Sequence, residues 1–256
     1  MRRIIAKDVE GIMLWAPDNE HWIAETAIDG VKEFQGRFGI VVDIGAHIGG
    51  VALYAAKQGA TFVYAIEPAP LNYFLLTWNI MQNRMESSVL PLPYAIGRVE
   101  QAHPSYPFDF RVLRMAGNSG MYSLQYKGTI QEAARVPVLD FEALLRRLPC
   151  VNYLKIDIEG GEYEIFQPSA ELSALLRRVE YMNLELHTLD AAFFGESEGD
   201  EMERTITWLY HQGFQDHPIE ECLRRKCIRS FNKHFTPICE SHIEAHTCNI
   251  LGGRRV

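Results

Sequence analysis

Residues 39–49 read GIVVDIGAHIG. Ile40, Val41 and Val42 are β-branched and continuous, which suits a strand buried on both faces. The run stops on Asp43, and the chain then turns through Gly45 and Gly49 with Ala46 and His47 between them. An acid at a strand end followed by two glycines has two explanations. One is a tight turn; the other is a loop that presents backbone and a carboxylate to a ligand.

Working outward, an alternating pattern surrounds this stretch. IGGVALYAAKQG carries apolar residues at helical spacing and stops at Gly59. TFVYAIEP is a second strand, and residues 70–83 (PLNYFLLTWNIMQN) form a helix with Pro70 suited to its first turn. VLPLPYAIG is a third strand whose two prolines place it at an edge or bend it. Residues 98–135 are rich in Gly, Pro, Ser and aromatics and read as an insertion with hairpin character. DFEALLRRLP is a short helix and NYLKIDIEG a fourth strand; residues 162–178 are helical in parts, interrupted at Pro168. VEYMNLELH is a fifth strand, 200–213 a helix, and HTCNILGG a final strand. Strand and helix in alternation predict an α/β doubly wound, three-layer sandwich around a mostly parallel sheet. One domain is expected over 1–256: a cap segment at 1–38, a core at 39–190, and a C-terminal part at 191–256 that completes the sheet.

Apolar residues make up 47% of the chain and charged residues 23%, an ordinary balance for a globular protein. The net charge of −8 disfavours a general nucleic-acid-binding surface. No stretch approaches the roughly 20 apolar residues of a membrane helix, so no membrane partner is expected. The opening MRRIIAKDVEGIMLW is too interrupted for a secretory leader, so the five cysteines are expected to be reduced thiols in the cytoplasm. Cys222, Cys227, Cys239 and Cys248, with His234, His242 and His246 between them, contain no close CxxC pair. Thiols are therefore favoured over a structural zinc. Oligomeric state is open, and a homo-oligomer is compatible with this composition.

Ligands of an open α/β sheet lie outside the carboxyl ends of its strands. Asp43, Glu67, Asp157 with Glu159, and Glu185 with His187 all fall at expected strand ends. Acids gathered at one edge repel one another, so a partner with positive charge or many hydroxyls is expected there. Glu67 lies about 20 residues beyond Gly45, the spacing at which an acid accepts hydrogen bonds from ribose hydroxyls. A nicotinamide dinucleotide needs a three-glycine loop around its pyrophosphate. Here Ala46 replaces the middle glycine, and Asp43 would repel the phosphates. S-adenosylmethionine, which has no phosphate and carries an ammonium and a sulfonium, suits these acids better.

The segments DIGAHIGG, AIEPAPLNYFLLTWNIMQN, VPVLDFEALL, LKIDIEGGEYEIF and LELH resemble, in this order, the motifs of FkbM-type methyltransferases. These belong to the class I S-adenosylmethionine-dependent superfamily. The resemblance spans about residues 39–190, and EPAP with Leu75, Asn79 and Asn83, and KIDIEGGE, are its most specific pieces. It implies a Rossmann-like, seven-stranded sheet with the last strand antiparallel, and methyl transfer to a hydroxyl oxygen of a small molecule such as a sugar or natural product. Expected cofactor contacts are Asp43, Gly45, Ala46, His47, Gly49, Glu67 with Pro68 beside it, Ala95 and Ile96 next to Tyr94 at the adenine, and Asp157. Asp157, Glu159 and His187 are the candidates for the base that takes the acceptor's proton. A divalent metal at Asp157, Glu185 and His187 is the lesser alternative. Asn79 and Asn83, one helical turn apart, fit backbone contacts better than ligand contacts, and Lys155 is expected to be a charge partner of Asp157. The stretch 188–200, TLDAAFFGESEGD, and the insertion are expected to shape the acceptor pocket. Two other outcomes are compatible with the residues: a fold that binds the cofactor without chemistry, and an NAD-dependent oxidoreductase.

Overall fold

The computed structural model describes residues 3–18, 20–32, 39–98, 110–114, 122–123, 133–187, 199–215, 217–225 and 227–236. The chain begins with β1 (Ile4–Val9) and β2 (Ile12–Pro17), an antiparallel hairpin, followed by α1 (His21–Lys32). Then come β3 (Ile40–Ile44), α2 (Gly50–Lys57), β4 (Phe62–Ile66), α3 (Pro70–Gln82), β5 (Val89–Leu92) and β6 (Ala95–Gly97). β7 (Phe110–Arg114), β8 (Tyr122–Ser123) and β9 (Ala133–Val136) make a small antiparallel sheet, and β10 (Val138–Asp140) leads into α4 (Phe141–Arg147). The remainder is β11 (Val151–Ile156), α5 (Glu162–Ile165), α6 (Ala170–Leu176), β12 (Val179–Glu185), α7 (Gly199–His211), α8 (Ile219–Arg225) and β13 (Cys227–Phe231).

The central sheet has the order β13-β12-β11-β3-β4-β5. Its five strands from β12 to β5 are parallel, and β13 runs antiparallel to β12. The chain moves outward from β3 through β4 to β5, then returns to place β11 on the other side of β3. That reversal lies between β3 and β11, where an open sheet leaves a crevice at its carboxyl edge. Alternate residues of the strands feed two cores. Ile40, Val42 and Ile44 pack with α4, α6 and α7 residues such as Leu144, Leu172 and Leu209. Val41, Val63 and Tyr153 pack with Ile12, Ile28, Leu53 and Leu75 from the hairpin and α1–α3. Every residue of β3 is buried, as the continuous apolar run predicts for a strand covered on both faces.

Local chemistry explains several boundaries. The Asp140 side chain accepts the Ala143 N–H at 2.8 Å and caps α4; Ser169 accepts the Leu172 N–H at 2.9 Å and caps α6 after Pro168. Gly49, at φ 97°, starts α2, and a Cβ there would press on the Leu76 side chain. VLPLPYAIG departs from its expected single strand. Its first half, β5, is the sheet's edge, where Pro91 is tolerated, while β6 leaves to pair in parallel with β10. The expected final strand HTCNILGG, and with it the seventh strand and Cys239, His242, His246 and Cys248, lies outside the described residues, as do 188–198. Cys150 is buried and disulfide-bonded, so the expectation of uniformly reduced thiols does not hold. Compartment sets whether thiols oxidise, but only the fold decides which ones meet. Among the described residues no helix is long and apolar enough to cross a membrane.

Asn79 and Asn83 clamp the N-terminal hairpin to α3. The Asn79 side chain accepts the Trp15 N–H at 2.8 Å and donates to the Trp15 and Ile48 carbonyls at 3.2 and 2.8 Å. Asn83 treats Met13 in the same way, at 3.0 and 2.8 Å. Asn79→Ala strands buried backbone groups and should cost roughly 2 kcal/mol, lowering Tm by roughly 4–8 °C. Thermal unfolding checks this; an unchanged Tm would remove the clamp.

Candidate active site

A cavity of about 310 Å³ opens at the carboxyl ends of β3, β4, β11 and β12. Its walls include Gly45, Ala46 and His47 after β3, Glu67 and Pro68 after β4, and Tyr94, Ala95 and Ile96 around the start of β6. Asp157, Ile158 and Glu159 after β11, and Glu185 and His187 after β12, complete the far side. The strands are parallel, so their acidic ends converge on one edge.

The loop after β3 is tightly built. The N–H groups of Gly45 and Ala46 both donate to the Ile66 carbonyl at 3.0 Å, and the Asp157 N–H donates to the Ile44 carbonyl at 3.1 Å. Gly45 stands at φ 79°, and a Cβ there would overlap the Asp157 carbonyl oxygen, so glycine is required by space as well as by backbone angle. His47 is also left-handed, at φ 51°. Both its ring nitrogens are enclosed with no hydrogen-bond partner, and burial lowers its pKa to about 4 with help from the Lys155 charge.

Glu67 is 5% exposed. It accepts the His47 N–H at 2.8 Å on one oxygen and the Ala69 N–H at 2.9 Å on the other. Burial raises its pKa to about 7 against the pull of those amides, of Lys155 and of Asn72.

Asp43 stands elsewhere than the sequence places it. Its side chain has no exposed surface, it lines no part of the cavity, and neither oxygen has a hydrogen bond within 3.5 Å. Alternation turns it into the covered face between β3 and its helices, opposite Lys155 in the β3–β11 register. The Lys155 ammonium lies 3.6 Å from Asp43 and 3.2 Å from Asp157, and donates to the Gly45 carbonyl at 2.8 Å. Burial raises the Asp43 pKa, with Lys155 opposing. Burial works against the Lys155 charge too, but Asp157 and Asp43 outweigh it and the net shift is upward. For Asp157, burial is likewise outweighed, by Lys155 and His187, and its pKa is lowered. Gly49 also lies off the cavity wall, behind the loop.

His187 is surrounded by carboxylates. Its Nδ1 faces Glu162 at 3.0 Å, and its Nε2 faces Glu159 at 3.4 Å and Asp157 at 3.7 Å. Burial opposes its charge, yet the hydrogen bond to Glu162 and the charges of Glu162, Glu159 and Asp157 raise its pKa to about 9. A free imidazole base at neutral pH is therefore not what this geometry supplies. Burial raises Glu159 to about 7, with His187 opposing and Asp157 and other carboxylates adding. Glu162, fully buried, accepts the Ile158 and Gly160 N–H groups at 3.0 and 2.9 Å, and the Tyr163 hydroxyl donates to the His187 carbonyl at 2.8 Å. Glu185 lines the cavity but stands outside the Asp157–Glu159–His187 cluster.

The structure thus brings Gly45, Ala46, His47, Glu67, Pro68, Ala95, Ile96, Asp157, Glu159 and His187 to one cavity. Three contributors were not among the expected site residues: Trp22 and Thr26 of α1, which wall the cavity and carry no sequence signal, and Glu162, which orients His187. The GGE of KIDIEGGE was the available cue for Glu162.

The family model described as the methyltransferase FkbM domain matches residues 43–215. No curated protein matches the chain. Similar solved structures include Methanocaldococcus jannaschii Trm5 in complex with adenosine, at 24% identity over 36% of this chain and 30% of that one, TM-score 0.31. Methyltransferase FkbM from Methylobacillus flagellatus is 15% identical over 61% of this chain and 36% of that one, TM-score 0.38. Precorrin-6y C5,15-methyltransferase from Geobacter metallireducens is 15% identical over 83% of each chain, TM-score 0.40. The chain spans about a third of the length of the first structures it matches.

Proposed function

The chain belongs to the FkbM methyltransferase family, and from that premise we propose that it transfers a methyl group from S-adenosylmethionine to a hydroxyl oxygen of a small molecule such as a sugar or natural product. The observation that carries this is the placement of Glu67 on one cavity wall with Asp157, Glu159 and His187 on another. The donor set suits the cofactor: carboxylates outnumber cations around the cavity, and the unpartnered His47 ring nitrogens await a polar group.

In this proposal Glu67 accepts the ribose hydroxyls, while Tyr94, Ala95 and Ile96 pack the adenine. The backbone of Gly45–His47 and the His47 ring hold the amino-acid end, and Asp43 acts from beneath by fixing Lys155. When bound, S-adenosylmethionine supplies an electrophilic methyl group on a sulfonium. The protein aligns the acceptor for an in-line approach, which by itself contributes strongly to rate. A carboxylate oxygen of Asp157 or Glu159 receives the acceptor's proton. His187 orients those carboxylates rather than acting as the base. The proposal also takes the chain as one methyltransferase domain with a seven-stranded sheet, working without nucleic acid or membrane partners.

Calorimetric titration of the cofactor-stripped protein with S-adenosylhomocysteine, with NAD as the control, tests this. Stoichiometric binding of S-adenosylhomocysteine alone is expected, followed by turnover with labelled methyl donor and a hydroxylated acceptor. Binding of NAD alone overturns the proposal. Affinity without turnover on any acceptor would identify a binding module.

A further inference from the structure

We propose that Asp157, Glu159 and His187 bind one divalent first-row cation at the cavity wall, with Mn²⁺, to which carboxylate ligands are suited, as the probe ion. The inference deepens the transferase proposal and rests on it for the cation's role, which is to hold the acceptor hydroxyl and lower its pKa while a carboxylate oxygen not bound to the ion takes the proton.

Geometry carries it. Each of the three residues offers one ligand atom, and these atoms lie within 4.8 Å of one another. The His187 Nε2 stands 3.4 Å from Glu159 and 3.7 Å from Asp157. An ion about 2.1 Å from each ligand needs ligand atoms roughly 3–4 Å apart; both distances to the His187 Nε2 fall in that range, and the third pair lies within 4.8 Å.

The surroundings are those of a metal-binding imidazole. Its other nitrogen, Nδ1, faces Glu162 at 3.0 Å, which fixes the ring and aims Nε2 at the two carboxylates. Glu162 is itself held by two backbone N–H groups, so the orienting carboxylate is rigid. Glu159 occupies the left-handed region at φ 54°, an unfavourable conformation for a non-glycine residue, and it sets this side chain on the cavity wall. Lys155 is engaged by Asp43, Asp157 and the Gly45 carbonyl and does not serve Glu159. The three ligands come from two strand ends and leave the cavity side open for an acceptor oxygen.

Ligation needs the His187 Nε2 free of its proton, so the ion must displace the proton that the surrounding carboxylates favour; the competing view keeps that protonated ring as the resident cation, with no metal taken up. Full-length protein treated with chelator and then titrated with Mn²⁺ at pH 8 separates the two, with free Mn²⁺ followed by electron paramagnetic resonance. One bound Mn²⁺ per chain is expected, with His187→Gln and Glu159→Gln each weakening uptake at least tenfold. Glu162→Gln should weaken it about 10–100-fold by freeing the ring. Circular dichroism shows whether each variant is folded, and Glu171→Gln, an exposed carboxylate of α6 paired with Arg146 and off the cavity wall, should bind Mn²⁺ as the parent does. Absence of Mn²⁺ uptake, or equal uptake by a folded His187→Gln variant, overturns the site. S-adenosylhomocysteine binding without Mn²⁺ uptake sinks only the cation site; Mn²⁺ uptake without S-adenosylhomocysteine binding sinks only the transferase proposal.

Discussion

Glu67→Ala should weaken S-adenosylhomocysteine binding by roughly 100-fold, measured calorimetrically on folded protein. Two hydrogen bonds to a charged acceptor, each at the low end of about 1.5–3 kcal/mol, total about 3 kcal/mol, close to the roughly 2.7 kcal/mol of a 100-fold change. Glu67 spends one lone pair of each oxygen on the His47 and Ala69 N–H groups, which holds the carboxylate in place at the cavity wall. The Asn72 amide also donates to the Ala69-bonded oxygen at a long 3.5 Å, so the lone pair left on the His47-bonded oxygen and that weakly held one are what the ribose hydroxyls would use. Glu67→Gln retains one acceptor oxygen and should fall between parent and alanine variant.

The same residue gives affinity a pH dependence. Its pKa in the free protein is raised to about 7 by burial, with the two amides, Lys155 and Asn72 pulling the other way. A ligand that donates hydrogen bonds favours the ionised carboxylate, so binding releases a proton below about 7. Affinity should therefore rise from pH 6 to pH 8 and then level, and Glu67→Gln should flatten that rise. An unchanged affinity in the alanine variant, or a rise that persists in Glu67→Gln, would take the ribose role away from Glu67.

Lys155→Met should destabilise the fold by about 3–5 kcal/mol, the usual cost of removing one partner from a buried ion pair. Asp43, with no exposed surface, would then face only Asp157, and would have to take up a proton to remain inside. In a chain of this size that corresponds to a fall in Tm of roughly 10 °C or more. Lys155→Met with Asp43→Asn should recover much of the loss, because the uncompensated charge is gone. Asp43→Asn alone should cost less, since Lys155 keeps Asp157 at 3.2 Å and the Gly45 carbonyl at 2.8 Å. A double variant no more stable than Lys155→Met would sink the pairing as the source of stability.

Much of this molecule was legible in the chain. The apolar run Ile40–Ile44, the helix opened by Pro70 and the break at Pro168 each follow from side-chain shape and local backbone limits, and the structure has elements there. The acids at strand ends were legible too, because parallel strands must place their carboxyl ends together. The N-terminal hairpin and β13 were not. Their sequences lack a clean alternation, and they are held by distant partners: Asn79 and Asn83 grip β2 from α3, and β12 supplies the edge for β13.

The alternating architecture, the family motifs and the residue types offered to the cavity could be read along the chain, because periodicity and turn chemistry act between near neighbours. The tertiary structure alone decided which charges meet. Pairing β3 with β11 in one register set Lys155 opposite Asp43 and turned that carboxylate from an expected ligand contact into a buried counter-ion. The fold of KIDIEGGE put Glu162 behind His187, whose pKa rises to about 9, and so gave the imidazole a role that its ordinary pKa does not suggest. Register and enclosure join residues more than a hundred positions apart, and at that distance only packing fixes what a charge will face.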